Sequence, residues 1–285
     1  MLKDLARKWK FALSAGLLIV AVFLALFVIS SKSSVAIVSL TFDDASNTQY
    51  NNGFQIAQKY GLTGTLFVAT EMVNLRESGT DNEWTMTWDN IREIQAAGWE
   101  IGSHSRTHNR LSDQSNAQIT DELRGSQREI EAKTGISPVS FSSPFGNFTE
   151  DIIARVMEYY DYHLSWKGHR GRNPAARFDP SYIGRLEVTN DMTPAQVCGE
   201  MVRAAESNIW LVVLFHGIVD DEAGEYEVSA EIYEDILSCT KILQDNGLIQ
   251  VETVRNAAQR LDRRRNSLFA RPPKWLQRGR RQAED

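Results

Sequence analysis

The stretch Val35-Ala-Ile-Val-Ser-Leu-Thr-Phe-Asp-Asp44 decides the fold. Up to Phe42 it is largely apolar or β-branched, with no alternation of polar side chains. That is the pattern of a short strand covered on both faces, as in a parallel sheet. The strand then ends in two acids. In parallel α/β folds the C-terminal strand ends line the active site, so Asp43 and Asp44 stand where chemistry is expected. Side chains alternate along a strand, so neighbouring aspartates face different ways. One suits a metal ion and the other a substrate, although a lone pair of aspartates is more often a turn or a helix cap.

Working outward, the pattern repeats. Segments 63–69, 99–103, 139–142, 210–215 and 248–252 read as further strands. Between them 49–60, 88–97, 115–134, 149–159, 193–207 and 230–246 read as helices, several stopped by glycine at Gly61, Gly98 and Gly135. Strands alternating with helices imply βαβ units, arranged as a doubly wound sheet or as a (β/α) barrel. No repeat and no mid-chain linker divides this body.

The chain has 285 residues, 42% of them hydrophobic, which suffices for one large α/β core. Its net charge of −6 averages unlike regions: +4 over residues 1–32 and +7 from Arg255 onward leave −17 for the body. Such a body is not a nucleic-acid binder. Residues 11–30 form an unbroken apolar run, close to the roughly 20 residues that cross a bilayer. The run exceeds a secretory h-region, and Val28-Ile29-Ser30 is a poor cleavage signal. The expectation is an uncleaved anchor over 11–31, with a basic cytoplasmic segment 1–10 before it and the domain 35–254 outside the cell membrane. The basic segment 255–285 lacks apolar periodicity and is expected to be disordered, free to meet anionic headgroups or wall polymers. Cys198 and Cys239 fall in the exported body, where a disulfide or two buried thiols would both be stable.

Three of the five histidines follow predicted strands: His104, His108 and His216. His104 and His108 are spaced so that one turn brings both imidazoles to one side. Two imidazoles and a carboxylate make a common catalytic zinc shell that leaves a position open for water.

Together Thr41-Phe42-Asp43-Asp44, His104-x-x-x-His108, Pro144-Phe145-Gly146 and Leu214-Phe215-His216-Gly217 resemble, in order, the motifs of the polysaccharide deacetylases. This is carbohydrate esterase family 4, also called the NodB homology domain. Thr65-Leu-Phe-Val and Gly98-Trp-Glu-Ile-Gly-Ser-His104 resemble it too, and the likeness runs over about 35–252. It implies a distorted (β/α) barrel and hydrolysis of N- or O-acetyl groups from an N-acetylated glycan. It implies Zn²⁺, or another divalent ion such as Co²⁺ or Ni²⁺, on Asp44, His104 and His108. Asp43 would be the general base, His216 the general acid, and the Phe145 backbone N–H an oxyanion donor in a loop stiffened by Pro144. Phe145 and Trp166 would face the sugar; Trp84, Trp88 and Phe148 read as core. A non-catalytic carbohydrate-binding relative and an amidase of small non-sugar amides are the alternatives.

Two departures stand out. Many members carry an arginine near Ser142 that orients the base, braced by an Asp-Trp pair. Here Ser142-Ser143 and Leu164-Ser165-Trp166-Lys167 occupy those places. Arg185, just after an expected strand, is the candidate replacement that would reach Asp43; otherwise it is an ordinary surface ion pair. The sequon Asn147-Phe148-Thr149 lies beside the expected catalytic lip, a poor place for a glycan.

Overall fold

The computed structural model describes residues 35–79, 83–165 and 171–268, with side chains to residue 263. The expected anchor, Trp166 and the chain after 268 lie outside these. Among the described residues no helix is long and apolar enough to cross a membrane.

Strand β1 (Ala36–Phe42) is buried along its whole length and is the hub of the sheet. It pairs in parallel with β9 (Ile209–Phe215) from Ile37↔Trp210 to Phe42↔Phe215. On its other edge lie the strand Ile249–Val251 below and β2 (Thr65–Val68) above. The sheet continues in parallel through β3 (Glu100–Ser103), β4 (Ser140–Ser142) and β5 (Tyr162–Ser165). A short β6 (Arg172–Pro174) lies antiparallel on the far side of β9.

Two minimal strands bring the ends together. β7 (Ile183–Gly184) pairs with β5, and β8 (Leu186–Glu187) pairs with β9. The sheet thus curls into a nearly closed barrel, with Arg185 as the residue between the two pairings. The barrel, not the open doubly wound sheet, is the form adopted.

Helix starts follow local chemistry. Thr87, Ser115 and Thr193 each form a capping box with Asn90, Gln118 and Gln196, satisfying the first orphan N–H groups of their helices. The alternation of β1 splits the core. Val38, Leu40 and Phe42 pack outward against helices, whereas Ile37 joins Phe67, Leu164, Trp210 and Val212 in a second cluster. Continuing that second series through Ser39 and Thr41 places Asp43 on the barrel's inner face.

The lower end of the inner cluster is covered by the helix Val254–Leu268 through Val254, Ala257, Ala258 and Leu261. This corrects the expectation of disorder from Arg255. The stripe has helical spacing, but two of its four members are alanines among arginines, so the sequence signal is weak. Sequence reading also missed the helix Thr70–Glu77, β5, β6 and β8, whereas the strand expected before Arg185 is β7. Cys198 and Cys239 are joined by a disulfide, Cα to Cα 6.3 Å, linking the helices Pro194–Ser207 and Ala230–Asp245.

Candidate active site

The upper strand ends surround a cavity of about 910 Å³ lined by Asp43, Asp44, His104, His108, Arg185 and His216. Three loops enter it with residues other than glycine in the left-handed backbone region. Asp44 and Ala45 have φ of 80° and 56°, Ser105 and His108 have 67° and 60°, and Phe145 has 57°. Such conformations cost roughly 1–2 kcal/mol each for L-residues and persist only where the surroundings enforce them.

Asp44, His104 and His108 present one ligand atom each, all within 4.8 Å of one another. Asp44 Oδ1 lies 3.4 Å from His104 Nε2 and 3.1 Å from His108 Nε2. Ligands at tetrahedral zinc distances would sit about 3.4 Å apart, so the donor set fits a small divalent ion. The charge pattern agrees. Burial opposes a charge on His104, yet Asp43 and Asp44 outweigh it and raise its pKa. Burial likewise opposes ionisation of Asp44, but hydrogen bonds from His104 and His108 hold its carboxyl well below the usual range. The pocket calls for positive charge, which a dication would supply. His104 Nδ1 faces the Ser142 carbonyl at 2.8 Å, a contact that turns Nε2 toward the ligand side.

The loop between the two histidines is held by the buried Glu122, a residue sequence reading did not single out. Its Oε2 accepts from the N–H groups of Arg106 and Thr107 at 2.8 and 2.9 Å, and its Oε1 accepts from the Thr107 hydroxyl. Ser105 Oγ accepts from the His108 N–H at 3.1 Å, closing the turn.

Asp43 is buried and faces a different set of partners. One guanidinium nitrogen of Arg185, Nη1, donates to both carboxylate oxygens at 2.8 Å, and Ser142 Oγ donates to Oδ2 at 2.9 Å. Burial works against the anion, but Arg185, His104 and His216 together hold the Asp43 pKa below its ordinary value. The adjacent aspartates therefore differ in their nearest partners: Asp44 lies between two imidazoles, whereas Asp43 is bonded to a guanidinium and a hydroxyl, with His104 Nε2 farther off at 3.7 Å. Arg185 reaches Asp43 from the gap between β7 and β8. The position that lacks the arginine, Ser142, touches both machineries, Asp43 by its hydroxyl and His104 by its carbonyl.

His216 directly follows β9 across the cavity, with Nδ1 3.6 Å from Glu187 Oε1. Glu187, on β8, was not foreseen. Gln49 Nε2 donates to the backbone carbonyls of Asp43 and His216 at 2.6 and 2.8 Å, fixing the two strand ends to each other. Phe145 is 56% exposed, its ring between the His108 imidazole at 4.7 Å and the Arg110 guanidinium at 4.6 Å. Pro144 is buried beneath it. Trp88 is core as expected, but Trp84 is 46% exposed and lines the cavity, which corrects its reading as core. Trp166 lies outside the described residues.

Residues 30–164 match the family model described as polysaccharide deacetylase. Over those residues the chain matches a polysaccharide deacetylase domain. It is 27% identical over 191 residues to a gellan lyase from Bacillus sp, a match covering 63% of this chain and 7% of that protein. It is 25% identical over 166 residues to the poly-beta-1,6-N-acetyl-D-glucosamine N-deacetylase of Staphylococcus aureus, covering 54% of this chain and 55% of that one. The chain thus spans a small part of the first relative and about half of the second. Among solved structures, peptidoglycan deacetylase PdaC from Bacillus subtilis aligns with TM-score 0.55 and 21% identity, over 84% of this chain and 97% of that one. A CE4 family pseudoenzyme from Bacillus anthracis aligns with TM-score 0.53 and 19% identity, over 79% of this chain and 66% of that chain. At these identities the solved structures speak for the fold alone.

Proposed function

We propose that this polysaccharide deacetylase domain is an active, metal-dependent hydrolase that removes N-acetyl groups from a glycan outside the cell. The observation that carries the reading is the partition of Asp43 from Asp44, because a merely structural pair needs no such division. A divalent metal held by Asp44, His104 and His108 would polarise the acetyl carbonyl and acidify water. Asp43, kept ionised by Arg185 and Ser142, takes the proton from the attacking water. His216, steadied by Glu187, returns a proton to the departing amine, which is a poor leaving group without it. The Phe145 N–H, in its strained turn, meets the developing negative charge on the acetyl oxygen. The open cavity with Phe145 and Trp84 at its lip suits sugar rings.

The relatives support an N-acetylated amino-sugar polymer as substrate, and the apolar run at 11–30 supports attachment to the cell membrane with the domain outside. The test is acetate release by the full chain, with and without chelator. Its substrates are β-1,6-linked N-acetylglucosamine oligomers, chitooligosaccharides, peptidoglycan and a simple acetamide. Chelator-sensitive acetate from one of the glycans is the expected result. Acetate from the acetamide alone would make it a small-amide hydrolase. No acetate from any substrate, as for a pseudoenzyme, would overturn the proposal. Protease digestion of intact cells should remove the domain if it is outside.

A further inference from the structure

One buried titratable group beside the cavity has no part in the reaction just described. His163 on β5 is fully buried, and its Nε2 lies 2.8 Å from Ser143 Oγ. Its Nδ1 lies 2.8 Å from the Ser181 carbonyl, which can only accept. The Nδ1 atom therefore carries the hydrogen, Nε2 is the acceptor, and Ser143 must donate. Burial first, with Arg185 as the charged group facing the ring, pushes the His163 pKa down to about 4. Neutral imidazole is the form this arrangement needs.

Ser143 is the residue before Pro144-Phe145. Its carbonyl accepts from the Gly146 N–H at 3.0 Å, and its own N–H reaches the Leu164 carbonyl at 3.4 Å. Phe145 sits inside that turn with φ 57° and ψ 16°. A left-handed phenylalanine relaxes unless both sides are fixed. On the far side the ring is held between His108 and Arg110. On the near side the side-chain anchor is the Ser143 hydroxyl on His163. The ring of His163 is itself wedged by Phe141 and by the edge of Phe148.

We infer that His163 and Ser143 are positioning residues for the oxyanion loop: a neutral imidazole accepts the Ser143 hydroxyl and so aims the Phe145 N–H into the cavity. The inference rests on the oxyanion role proposed for that N–H. The same ring also ties the loop after β4 to the segment that leads into β7 and Arg185, so both sides of the reacting centre refer to one residue.

The full chain loaded with metal provides the kinetic test. Ser143→Ala should lower kcat by about tenfold or more, part of the 10²–10³ that a lost oxyanion donor costs. KM and bound metal should stay near wild type, since neither contact is touched. Ser143→Thr, which keeps the hydroxyl, should recover most of the loss. His163→Phe should be slow in the same way, and the double variant no slower than His163→Phe alone, because both act through one hydrogen bond. Independently of activity, ¹⁵N-histidine NMR should show His163 as the neutral Nδ1–H tautomer at pH 7. Full kcat in Ser143→Ala, additive losses in the double variant, or an Nε2–H or charged ring would each overturn the inference. A wild-type chain that releases no acetate would instead sink the deacetylase reading, and the catalytic role of the dyad with it.

Discussion

Four helix-to-strand turns at the lower end of the barrel use glycine. Gly61, Gly98, Gly135 and Gly247 have φ of 61°, 89°, 77° and 69°. For each of Gly61, Gly135 and Gly247 an added Cβ would meet nothing within 4 Å, so only the backbone demands the residue. On the upper rim the same left-handed conformation falls on Asp44, Ala45, Ser105, His108 and Phe145. With Asn208 (φ 51°) below and Gly146 (φ 55°) above as the exceptions, the lower end relaxes its turns with glycine and the rim holds them strained. Buried charge follows the same division. Glu100, low in the barrel, accepts from Thr65, Ser140 and the Arg255 N–H, and so seats the final helix. Asp43, on the rim, is held by partners that keep it ionised and facing a cavity. Strain and buried charge serve stability at one end and shape the candidate site at the other.

The sharpest way to break that contrast is to remove Arg185. Arg185→Ala leaves Asp43 buried and uncompensated, and losing one partner of a buried pair costs about 3–5 kcal/mol. Asp43 should then titrate higher, and the acid limb of the rate profile should move to higher pH while turnover falls. A profile unchanged in both height and position would show Arg185 to be a bystander. Next in size is Glu122→Gln, which weakens the grip on the loop between His104 and His108, the histidines proposed to hold the metal. Losing such outer support typically costs 10–100-fold in metal affinity, measurable by competition with a chelator. Retention of wild-type affinity would mean that the loop holds itself.

The lower end should respond only in stability. Gly135→Ala should cost about 1–2 kcal/mol through backbone strain, read as a lower denaturant midpoint, with kcat unchanged. A loss of turnover at constant metal content would join the two ends in a way the contrast forbids. The smallest effect concerns pH. Burial, opposed by Ser140 and Arg255, leaves the Glu100 pKa above its ordinary value. A carboxyl raised on folding binds its proton more tightly in the native state. Its contribution is therefore complete below the unfolded pKa and is lost as pH rises through the folded one. Glu100→Gln should flatten stability across that window, and an unchanged slope there would contradict the assignment.

How much of this was legible in the sequence follows from distance along the chain. Asp43, Asp44, His104, His108 and His216 stand in short strings at the ends of apolar strands, so their convergence could be read from strand order alone. Arg185 could be placed near Asp43 only as one of two readings, because the strands that flank it are two residues each. Glu187 and Gln49 left no local mark: each acts on a residue brought close by sheet register. Glu122 contributes from a helix, 16 residues beyond Arg106. Ser142 looked like a missing arginine and is instead a shared support, its hydroxyl and carbonyl facing different partners. Trp84 was misjudged because an aromatic on the rim and one in the core have the same spacing. The helix after Val254 was hidden by alanines that pack well but score weakly as hydrophobic.

The account turns on the separate duties of two adjacent aspartates, and one paired measurement tests it. Metal content and acetate release should be determined side by side for Asp43→Asn and Asp44→Asn in the full chain. The expected result is that Asp43→Asn keeps its metal and loses about 10²–10⁴-fold in turnover, whereas Asp44→Asn loses the metal itself. Loss of metal from Asp43→Asn with retention by Asp44→Asn would reverse the assignment, and equal loss from both would erase the division.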